Sequence, residues 1–450
     1  MTRTAVLNVV GLTPRLLDSG HLPRLAAFAL GGVRAAVRPA FPAVTCTAQA
    51  TYLTGLPPAG HGVVGNGWYD RALAEVHFWK QSNRLVAGRK LWEDLRETRP
   101  GFTCANLFWW FNMYSTVDFS VTPRPIYRAD GAKIFDVASH PPALRPALKR
   151  DLGEFPFPAF WGPRAGIASS RWIAEAARWT EEHHAPDLQL VYLPHLDYNF
   201  QRLGPDDPAI AADLRAIDDV AADLITTLEA RGVEVVVLSE YGITAVDRPV
   251  YLNRLFRERG WIAWRDELGT EAFDAGACPA FAVADHQVAH VYVNDPAILG
   301  DVRAAVEGQP GVAEVLDAAA QEARGVRHAR GGDFLAVADA RSWFAYYYWL
   351  DDARAPDFAR TIEIHRKPGY DPAELFVDPR LRWPAGRVAG FLLKKRLGLR
   401  ALLDVIPLDA TLVRGSHGRV PDDPADGPVL LARRTPPGFG PSLEATEVYG

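Results

Sequence analysis

The chain has 450 residues, of which 48% are hydrophobic and 23% are charged. This composition is typical of a globular protein and excludes a disordered, collagen-like or coiled-coil chain. Asp and Glu number 54 against 49 Lys and Arg, which gives a net charge of −5. The chain as a whole therefore lacks the positive field expected of a protein that binds nucleic acids or an anionic membrane.

The three cysteines, Cys46, Cys104 and Cys278, are far apart in the sequence and form no CxxC pair. Such spacing supports neither a disulfide framework nor a thiolate zinc site. The N-terminal apolar run is short, and no stretch reaches the ~18 apolar residues that a membrane-spanning helix requires. These features favour a cytoplasmic protein with a small-molecule ligand, without a membrane or nucleic-acid partner; the oligomeric state is left open.

Strand and helix signals alternate along much of the chain. Buried strands are indicated by continuous apolar runs, and helices by apolar residues at a spacing of three to four. In chain order the predicted elements are strand Ala5–Val10, helix Leu22–Leu30, strand Val33–Val37, helix Thr47–Thr54, helix Lys90–Glu97, strand Gly101–Phe108, helix Ser170–His183, strand Leu188–Leu193, helix Ala209–Arg231, strand Val233–Leu238 and strand Pro428–Ala432. Residues 114–160 show no clear pattern.

This alternation predicts an α/β fold with a mainly parallel sheet and helices on both faces. After about residue 250 the strands become shorter and the pattern changes, which indicates a small α/β insertion or lid. We predict a core made of residues 1–254 and 356–450, with the insertion at residues 255–355. Ligands of open parallel sheets bind beyond the carboxyl ends of the strands, so the polar residues that follow each strand are the candidates for chemistry.

Several such polar residues have the chemistry of a metal-assisted hydrolase. They are a hydroxyl group at Thr45, carboxylates at Asp197 and Glu240, and an imidazole at His417. A hydroxyl nucleophile, carboxylates and a histidine at one sheet edge suit metal-assisted hydrolysis. From the residues alone, a purely structural role as a helix N-cap is the alternative for Thr45 and for Thr47.

The segment from Phe41 to Val63, FPAVTCTAQATYLTGLPPAGHGV, resembles the nucleophile segment of a known family. This family is the nucleotide pyrophosphatase/phosphodiesterase (type I phosphodiesterase) branch of the alkaline phosphatase superfamily. The similarity continues through Asn66–Asp70 and covers most of the chain in order. The resemblance implies an alkaline-phosphatase-like core and a catalytic Thr45 at a helix start, flanked by two divalent metal ions. A helix N-terminus and a metal both favour the negative charge of an activated hydroxyl.

The metal ligands depart from the family pattern at several positions. Where the family has an Asp before the first Gly, this chain has Val10, and the nearest polar residue is Asn8. The PDxxGH motif keeps its Asp as Asp197 but has Gln201 in place of its His. The SDHG motif becomes Ser239-Glu240-Tyr241-Gly242, and the final His is retained as His417. The phosphate-binding Asn falls on Ala48, next to Gln49.

The resemblance therefore implies a reduced ligand set for one or two divalent ions (Zn, Mn or Mg). The candidate metal ligands are Asp197, Glu240, His417 and Thr45, with Gln201 and Asn8 as further candidates. Because two carboxylates compensate two ions poorly and most donors are oxygens, a single ion such as magnesium or manganese is favoured over a zinc pair. The candidate substrate-binding residues are Gln49, Tyr241, His286 and His365; for the two histidines, a surface or core position is the alternative.

We predict metal-dependent hydrolysis of a phosphodiester, pyrophosphate or phosphomonoester of a small metabolite through the Thr45 nucleophile. Two alternatives follow from the altered ligands. The chain could be a catalytically altered or non-catalytic member of the superfamily that binds an anionic metabolite. It could also be a mutase that transfers the phosphoryl group instead of hydrolysing the ester.

Overall fold

The computed structural model describes residues 3–435 and 439–450. Its strands, in chain order, are β1 (Arg3–Val9), β2 (Val33–Arg38), β3 (Gly67–Asp70), β4 (Glu75–Phe78), β5 (Cys104–Leu107), β6 (Phe119–Pro123), β7 (Ile126–Tyr127), β8 (Lys133–Ile134), β9 (Val137–His140), β10 (Leu188–Leu193), β11 (Val233–Leu238), β12 (Thr244–Ala245), β13 (Arg248–Val250), β14 (Trp264–Glu267), β15 (Thr270–Phe273), β16 (Ala280–Asp285), β17 (Val288–Val293), β18 (Val312–Leu316), β19 (Phe334–Ala338), β20 (Ser342–Phe344), β21 (Gly415–Ser416), β22 (Val429–Ala432) and β23 (Ser442–Glu444).

The α-helices are α1 (Pro14–Leu17), α2 (Pro23–Leu30), α3 (Thr45–Thr54), α4 (Pro58–His61), α5 (Leu91–Thr98), α6 (Leu144–Leu152), α7 (Ile167–His184), α8 (His195–Leu203), α9 (Ile210–Ala230), α10 (Leu252–Glu258), α11 (Leu299–Glu307), α12 (Ala318–Ala323) and α13 (Pro384–Arg396). None of the described helices combines the length and the apolar character needed to cross a bilayer.

A large mixed sheet forms the centre of the molecule, in the order β23-β2-β22-β11-β1-β10-β5-β6-β9. The five strands from β11 to β6 are parallel to one another, as the βα alternation predicts. Their side chains are almost entirely buried, because helices cover both faces of such a sheet. The α/β fold predicted from the sequence is confirmed. The antiparallel strands β22 and β9 lie towards the edges, where a mixed sheet commonly accepts them.

A second, smaller sheet has the antiparallel order β16-β17-β19-β18 and carries its own apolar core together with α11. It lies inside the stretch where the sequence predicts an insertion, and the exact limits of 255 and 355 stay a prediction. The turn that joins β16 to β17 consists of His286 and Gln287, and His286 adopts a positive φ of 61° there. Two-residue hairpin turns require such backbone angles.

The structure differs from the sequence-based elements in three places that matter for the site. Helix α8, which carries Asp197 and Gln201, has no counterpart among the predicted elements. Helix α3 begins at Thr45 rather than at Thr47, so Thr45 occupies the first helical position. The patternless stretch 114–160 contains β6, β9 and α6, and β6 and β9 extend the large sheet. Short strands in this stretch give too little periodicity to detect from one sequence.

Candidate active site

The carboxyl ends of the three central strands bring the candidate residues to one edge of the large sheet. Asn8 near the end of β1 is in register with Tyr192 of β10 on one side and Leu238 of β11 on the other. Helix α8 begins at His195, two residues after β10 ends, and Asp197 lies on its first turn. Glu240 follows the end of β11. The parallel register therefore places side chains from three distant segments side by side.

Thr45 is at the N-terminus of α3, where unsatisfied N–H groups favour negative charge. Its side chain is buried, and its Oγ1 lies 3.0 Å from the hydroxyl oxygen of Tyr241. The next backbone N–H, that of Cys46, donates to Oδ1 of Asn66 at 3.0 Å. Asn66 is in turn held by hydrogen bonds from its backbone N and its amide to the carboxylate of Asp285. The helix end that carries Thr45 is thus fixed by two buried polar residues.

One half of the site contains Asp197 and His417, and we call it the Asp197 half. The Gln201 amide donates to Asp197 Oδ2 at 2.8 Å, as their spacing of four on α8 permits. The Tyr241 hydroxyl donates to Asp197 Oδ1 at 3.4 Å. His417 Nδ1 donates to the Ala43 carbonyl at 2.8 Å, which leaves Nε2 buried, without a hydrogen bond and 3.7 Å from Asp197 Oδ1.

The other half contains Glu240, and we call it the Glu240 half. Its Oε1 accepts hydrogen bonds from the amides of Asn8 and Gln49, both at 2.5 Å. The Gln49 Oε1 accepts from the backbone N–H of Trp110. The Glu240 Oε2 is buried without a partner among the described residues. Glu240 and Gln49 are therefore tied to the protein itself, although the sequence places one as a metal ligand and the other as a substrate ligand.

Tyr241 separates the two halves. Its ring stacks on the His417 ring with 3.6 Å between centroids, and its hydroxyl lies between Thr45 and Asp197. The backbone fixes this position, because a Cβ on the next residue, Gly242, would lie 1.8 Å from the Asp426 carbonyl oxygen. A residue larger than glycine there would displace the segment that carries Glu240 and Tyr241.

The tip of the small sheet reaches the same site. His286, in the turn between β16 and β17, stacks on His417 and on Tyr370 with 3.7 Å between centroids in each case. The Tyr370 hydroxyl donates to Gln201 Oε1 at 2.8 Å. His365 lies elsewhere: its Nδ1 faces the Phe78 carbonyl at 3.2 Å, and no hydrogen bond or ring contact joins it to Thr45 or Asp197 within the described chain.

Burial sets the electrostatics of the site. It raises the pKa of Asp197 to about 7 and that of Glu240 to about 8, since both carboxyl groups are removed from water. The same cause lowers the pKa of His417 to about 3, and His286 is shifted in the same direction. Among the described residues, no Lys or Arg side chain forms an ion pair with Asp197 or Glu240. The site therefore offers donors and acceptors but no positive charge of its own.

Three contributors to the site have no signal that sequence reasoning could have used. Tyr370 and Asp285 come from segments more than 80 residues away from Gln201 and Asn66, the residues they contact. Tyr192, near the end of β10, is buried, and its burial together with the nearby Glu240 and Asp197 carboxylates raises the pKa of its hydroxyl. Aromatic and acidic residues are frequent at strand ends and in turns, so their convergence is visible only after folding.

The chain matches the model of the family described as type I phosphodiesterase / nucleotide pyrophosphatase over residues 4–371. The protein belongs to this family. The match includes the Thr45 helix, the strand ends of both site halves and the small sheet, which fits the family resemblance seen in the sequence. Residues 372–450, among them His417, lie outside the matched range.

Individual relatives are distant. An uncharacterized pyrophosphatase/phosphodiesterase from Schizosaccharomyces pombe is 25% identical over 264 residues, which are 56% of this chain and 47% of that protein. The chain thus spans about half the length of this curated relative.

Two solved structures share the fold of this phosphodiesterase family member. Phosphonoacetate hydrolase from Sinorhizobium meliloti, in complex with phosphonoacetate, has a TM-score of 0.64 at 14% identity and covers 100% of this chain and 94% of its own. An inactive variant of murine ectonucleotide pyrophosphatase/phosphodiesterase 5, in complex with AMP, has a TM-score of 0.58 at 15% identity, with coverages of 100% and 93%. At these identities the likeness shows the fold alone.

The residues of this family member do not fit a pair of divalent ions. Val10 offers no side-chain ligand atom, and the Tyr241 hydroxyl already lies 3.4 Å from Asp197 Oδ1 and 3.0 Å from Thr45 Oγ1. Across residues 3–435 and 439–450, no three His, Cys, Asp or Glu side chains come together as a metal-binding group. The Asp197 half does fit one ion of the Mg²⁺ or Mn²⁺ type, which uses one or two carboxylates and completes its shell with water and substrate phosphate. The orphaned Nε2 of His417 is oriented as in metal-bound histidines, whose other nitrogen donates to a carbonyl.

Proposed function

We propose that this protein hydrolyses a phosphoric ester of a small metabolite, with Thr45 as nucleophile and one divalent cation at the Asp197 half. The observation that carries the proposal is the position of Thr45, at a helix N-terminus and in hydrogen-bond contact with a tyrosine that also contacts Asp197. Family membership supports phosphoester hydrolysis as the reaction class. In the murine neighbour, the inactive form carries a threonine-to-alanine replacement.

In this proposal each residue has one task. Thr45 Oγ1 attacks phosphorus, so that an ester bond breaks and a phosphothreonine forms, which water later hydrolyses. The Tyr241 hydroxyl, at 3.0 Å, orients the Thr45 hydroxyl and accepts its hydrogen bond. Asp197 and His417, with Gln201 beside them, would hold the cation, which supplies positive charge for the phosphate oxygens when it is bound. Gln201 and Tyr370 keep Asp197 in place through their hydrogen bonds.

The need for a cation follows from the charges. A phosphate ester is an anion, and the described site contributes two carboxylates and no Lys or Arg. Without a metal ion the substrate would meet only acceptors and neutral donors, a poor environment for developing negative charge. Asp197 and His417 would hold a magnesium or manganese ion here, and its charge would offset both the buried carboxylate and the phosphate.

The test is turnover of an activated aryl phosphodiester and of an aryl phosphomonoester in the presence of Mg²⁺, Mn²⁺ or Zn²⁺. We expect Thr45→Ala to lose at least ~10³-fold in kcat, as removal of other enzymatic nucleophiles does. Thr47→Ala is the matched control, because Thr47 is on the same helix but its hydroxyl donates to the Val63 carbonyl. Turnover by Thr45→Ala equal to that of the wild type would remove Thr45 from the mechanism.

A protein that binds an anionic metabolite without turnover is the second candidate. The observation that favours it is the Glu240 half, where the carboxyl and the Gln49 amide are occupied by internal hydrogen bonds. This candidate is supported if no ester is turned over with any metal while AMP or pyrophosphate still raises the melting temperature. Release of free phosphate would separate hydrolysis from the transfer reaction of a mutase.

A further inference from the structure

Residues 379–403 differ from the rest of the chain in charge. They contain seven Lys and Arg residues and no Asp or Glu, whereas the whole protein has a net charge of −5. They also lie beyond residue 371, where the match to the family model ends. We call residues 379–403 the basic segment.

The basic segment exposes an unusual amount of apolar surface. Helix α13 lies within it and has no buried residue, although a helix of a globular protein normally covers its apolar stripe. Trp383 is 79% exposed and Leu397 is 65% exposed. Four more leucines of the segment are each more than half exposed: Leu392, Leu393, Leu399 and Leu402. Clusters of this kind mark interaction sites, whereas single exposed leucines do not.

Most cations of the basic segment lack a carboxylate partner. Arg380 pairs with Asp378 and Arg387 with Asp404, the two carboxylates that directly flank the segment. Within the part of the chain that the structure describes, no carboxylate forms an ion pair with the remaining cations, Arg382, Lys394, Lys395, Arg396 and Arg400. The segment therefore combines unpaired positive charge with exposed apolar side chains.

We propose that the basic segment docks this protein on an anionic lipid bilayer, with α13 lying in the plane of the interface. The exposed apolar side chains of the segment enter the boundary between headgroups and acyl chains, while its long Lys and Arg side chains reach the lipid phosphates. Tryptophan at the edge of such a helix prefers the same depth. The helix is about 20 Å long, too short to span the ~30 Å hydrocarbon core, so it lies on the membrane rather than crossing it.

Charge complementarity favours a lipid bilayer over a nucleic acid or a protein as the binding partner of the basic segment. Nucleic acid would match the cations but would leave the leucines and Trp383 in water. A protein partner would need both an apolar groove and a cluster of carboxylates. An anionic bilayer offers negative headgroups for the cations and an apolar interior for the leucines and Trp383. The proposal goes against the expectation from overall composition, because a net charge summed over 450 residues hides a local excess in 25.

The test is flotation of the full-length protein with phosphatidylcholine vesicles that contain or lack phosphatidylglycerol. We expect binding only to the anionic vesicles and a decrease in binding at high salt, since screening weakens such attraction. The triple variant K394Q/K395Q/R396Q should lower the partition coefficient by roughly a hundredfold, the factor for about three basic residues near the surface. The double variant L392S/L393S should lower it by at least about tenfold.

A matched control removes the same charge elsewhere. The variant R84Q/R171Q/R215Q changes three exposed arginines that form no ion pair in the described structure, and we expect it to bind like the wild type. Equal loss in this control would show that the attraction is not local and would overturn the proposal. So would absence of binding to anionic vesicles, or retention on a DNA or heparin column without vesicle binding. Circular dichroism of each variant confirms folding, and none of these results depends on the proposed hydrolysis.

Discussion

Two groups of buried carboxylates in this protein solve the same electrostatic problem in different ways. In one group, the Lys367 ammonium lies 2.7 Å from both the Asp371 and the Glu374 carboxylates, and all three side chains are at most 3% exposed. In the other, Glu240 is fully buried and Asp197 is 8% exposed, but the described chain provides no Lys or Arg ion pair for either of them. The first group contains its own cation, and the second does not.

The difference shows in the pKa values. Burial alone would lower the pKa of Lys367, but Asp371 and Glu374 raise it, so the ammonium stays charged. Burial raises the pKa of Asp197 to about 7 and of Glu240 to about 8 without such compensation. Buried carboxylates of this kind are costly unless they are paired or bind a metal. The comparison indicates that Lys367 serves stability, whereas the Asp197 half has no Lys or Arg ion pair within the described chain.

The largest expected effect is on the free energy of unfolding, in the group formed by Lys367, Asp371 and Glu374. Lys367→Met leaves two buried carboxylates without their cation, and we expect the free energy of unfolding to fall by about 3–5 kcal/mol. Urea denaturation followed by circular dichroism measures this change. Lys80→Met, at an exposed lysine, is the control and should stay within about 0.5 kcal/mol. A loss below about 1 kcal/mol for Lys367→Met would show that the triad is not held by its charges.

The next effect concerns the cation that we propose for the Asp197 half. At a Mn²⁺ concentration of about 100 times Kd, we expect the wild type to gain about 2.7 kcal/mol in free energy of unfolding. His417→Ala should lose this gain, because it removes the orphaned Nε2 beside Asp197. His21→Ala, at an exposed histidine, should keep it. If His417→Ala responds to Mn²⁺ like the wild type, the Asp197 half is not where the ion binds.

A smaller effect is expected for the residue between the two halves. Tyr241→Phe keeps the ring on His417 but removes the hydroxyl that contacts Thr45 and Asp197. We expect a loss of about 1 kcal/mol in stability, the usual value for one hydrogen bond. Turnover should fall while the response to Mn²⁺ is retained. A Tyr241→Phe protein that no longer responds to Mn²⁺ would make the phenol oxygen a ligand.

The smallest effect is expected at Glu240. Glu240→Gln keeps the shape of the side chain and the Oε1 acceptor for Asn8 and Gln49. We expect the free energy of unfolding to change by less than about 1 kcal/mol and the Mn²⁺ response to persist. Loss of the Mn²⁺ response in Glu240→Gln would instead assign both carboxylates to the cation.

Sequence patterns were sufficient for two strands and one long helix beside the site, but not for α8, which carries Asp197 and Gln201. The strands Leu188–Leu193 and Val233–Leu238 agree with β10 and β11 residue for residue, and the helix at Ala209–Arg231 agrees with α9 to within one residue at each end. The strand and helix pattern selected Thr45, Asp197, Glu240 and His417 as candidates, and the structure brings Thr45, Asp197 and His417 together through contacts with Tyr241 and with each other. Their catalytic and metal-binding roles stay predictions.

The sequence by itself thus determined the α/β class of the fold, the positions of several parallel strands along the chain and the residue types that follow them. These properties depend on local periodicity and on a motif within about 25 residues. Only the tertiary structure decided what each polar atom contacts. Tyr241 reaches Thr45 across 196 residues, and His286 reaches His417 from the tip of a separate sheet. It also decided that the leucines of α13 remain in water. The physical reason is that hydrogen bonding and burial depend on side-chain positions that distant segments impose, and one sequence carries no local record of them.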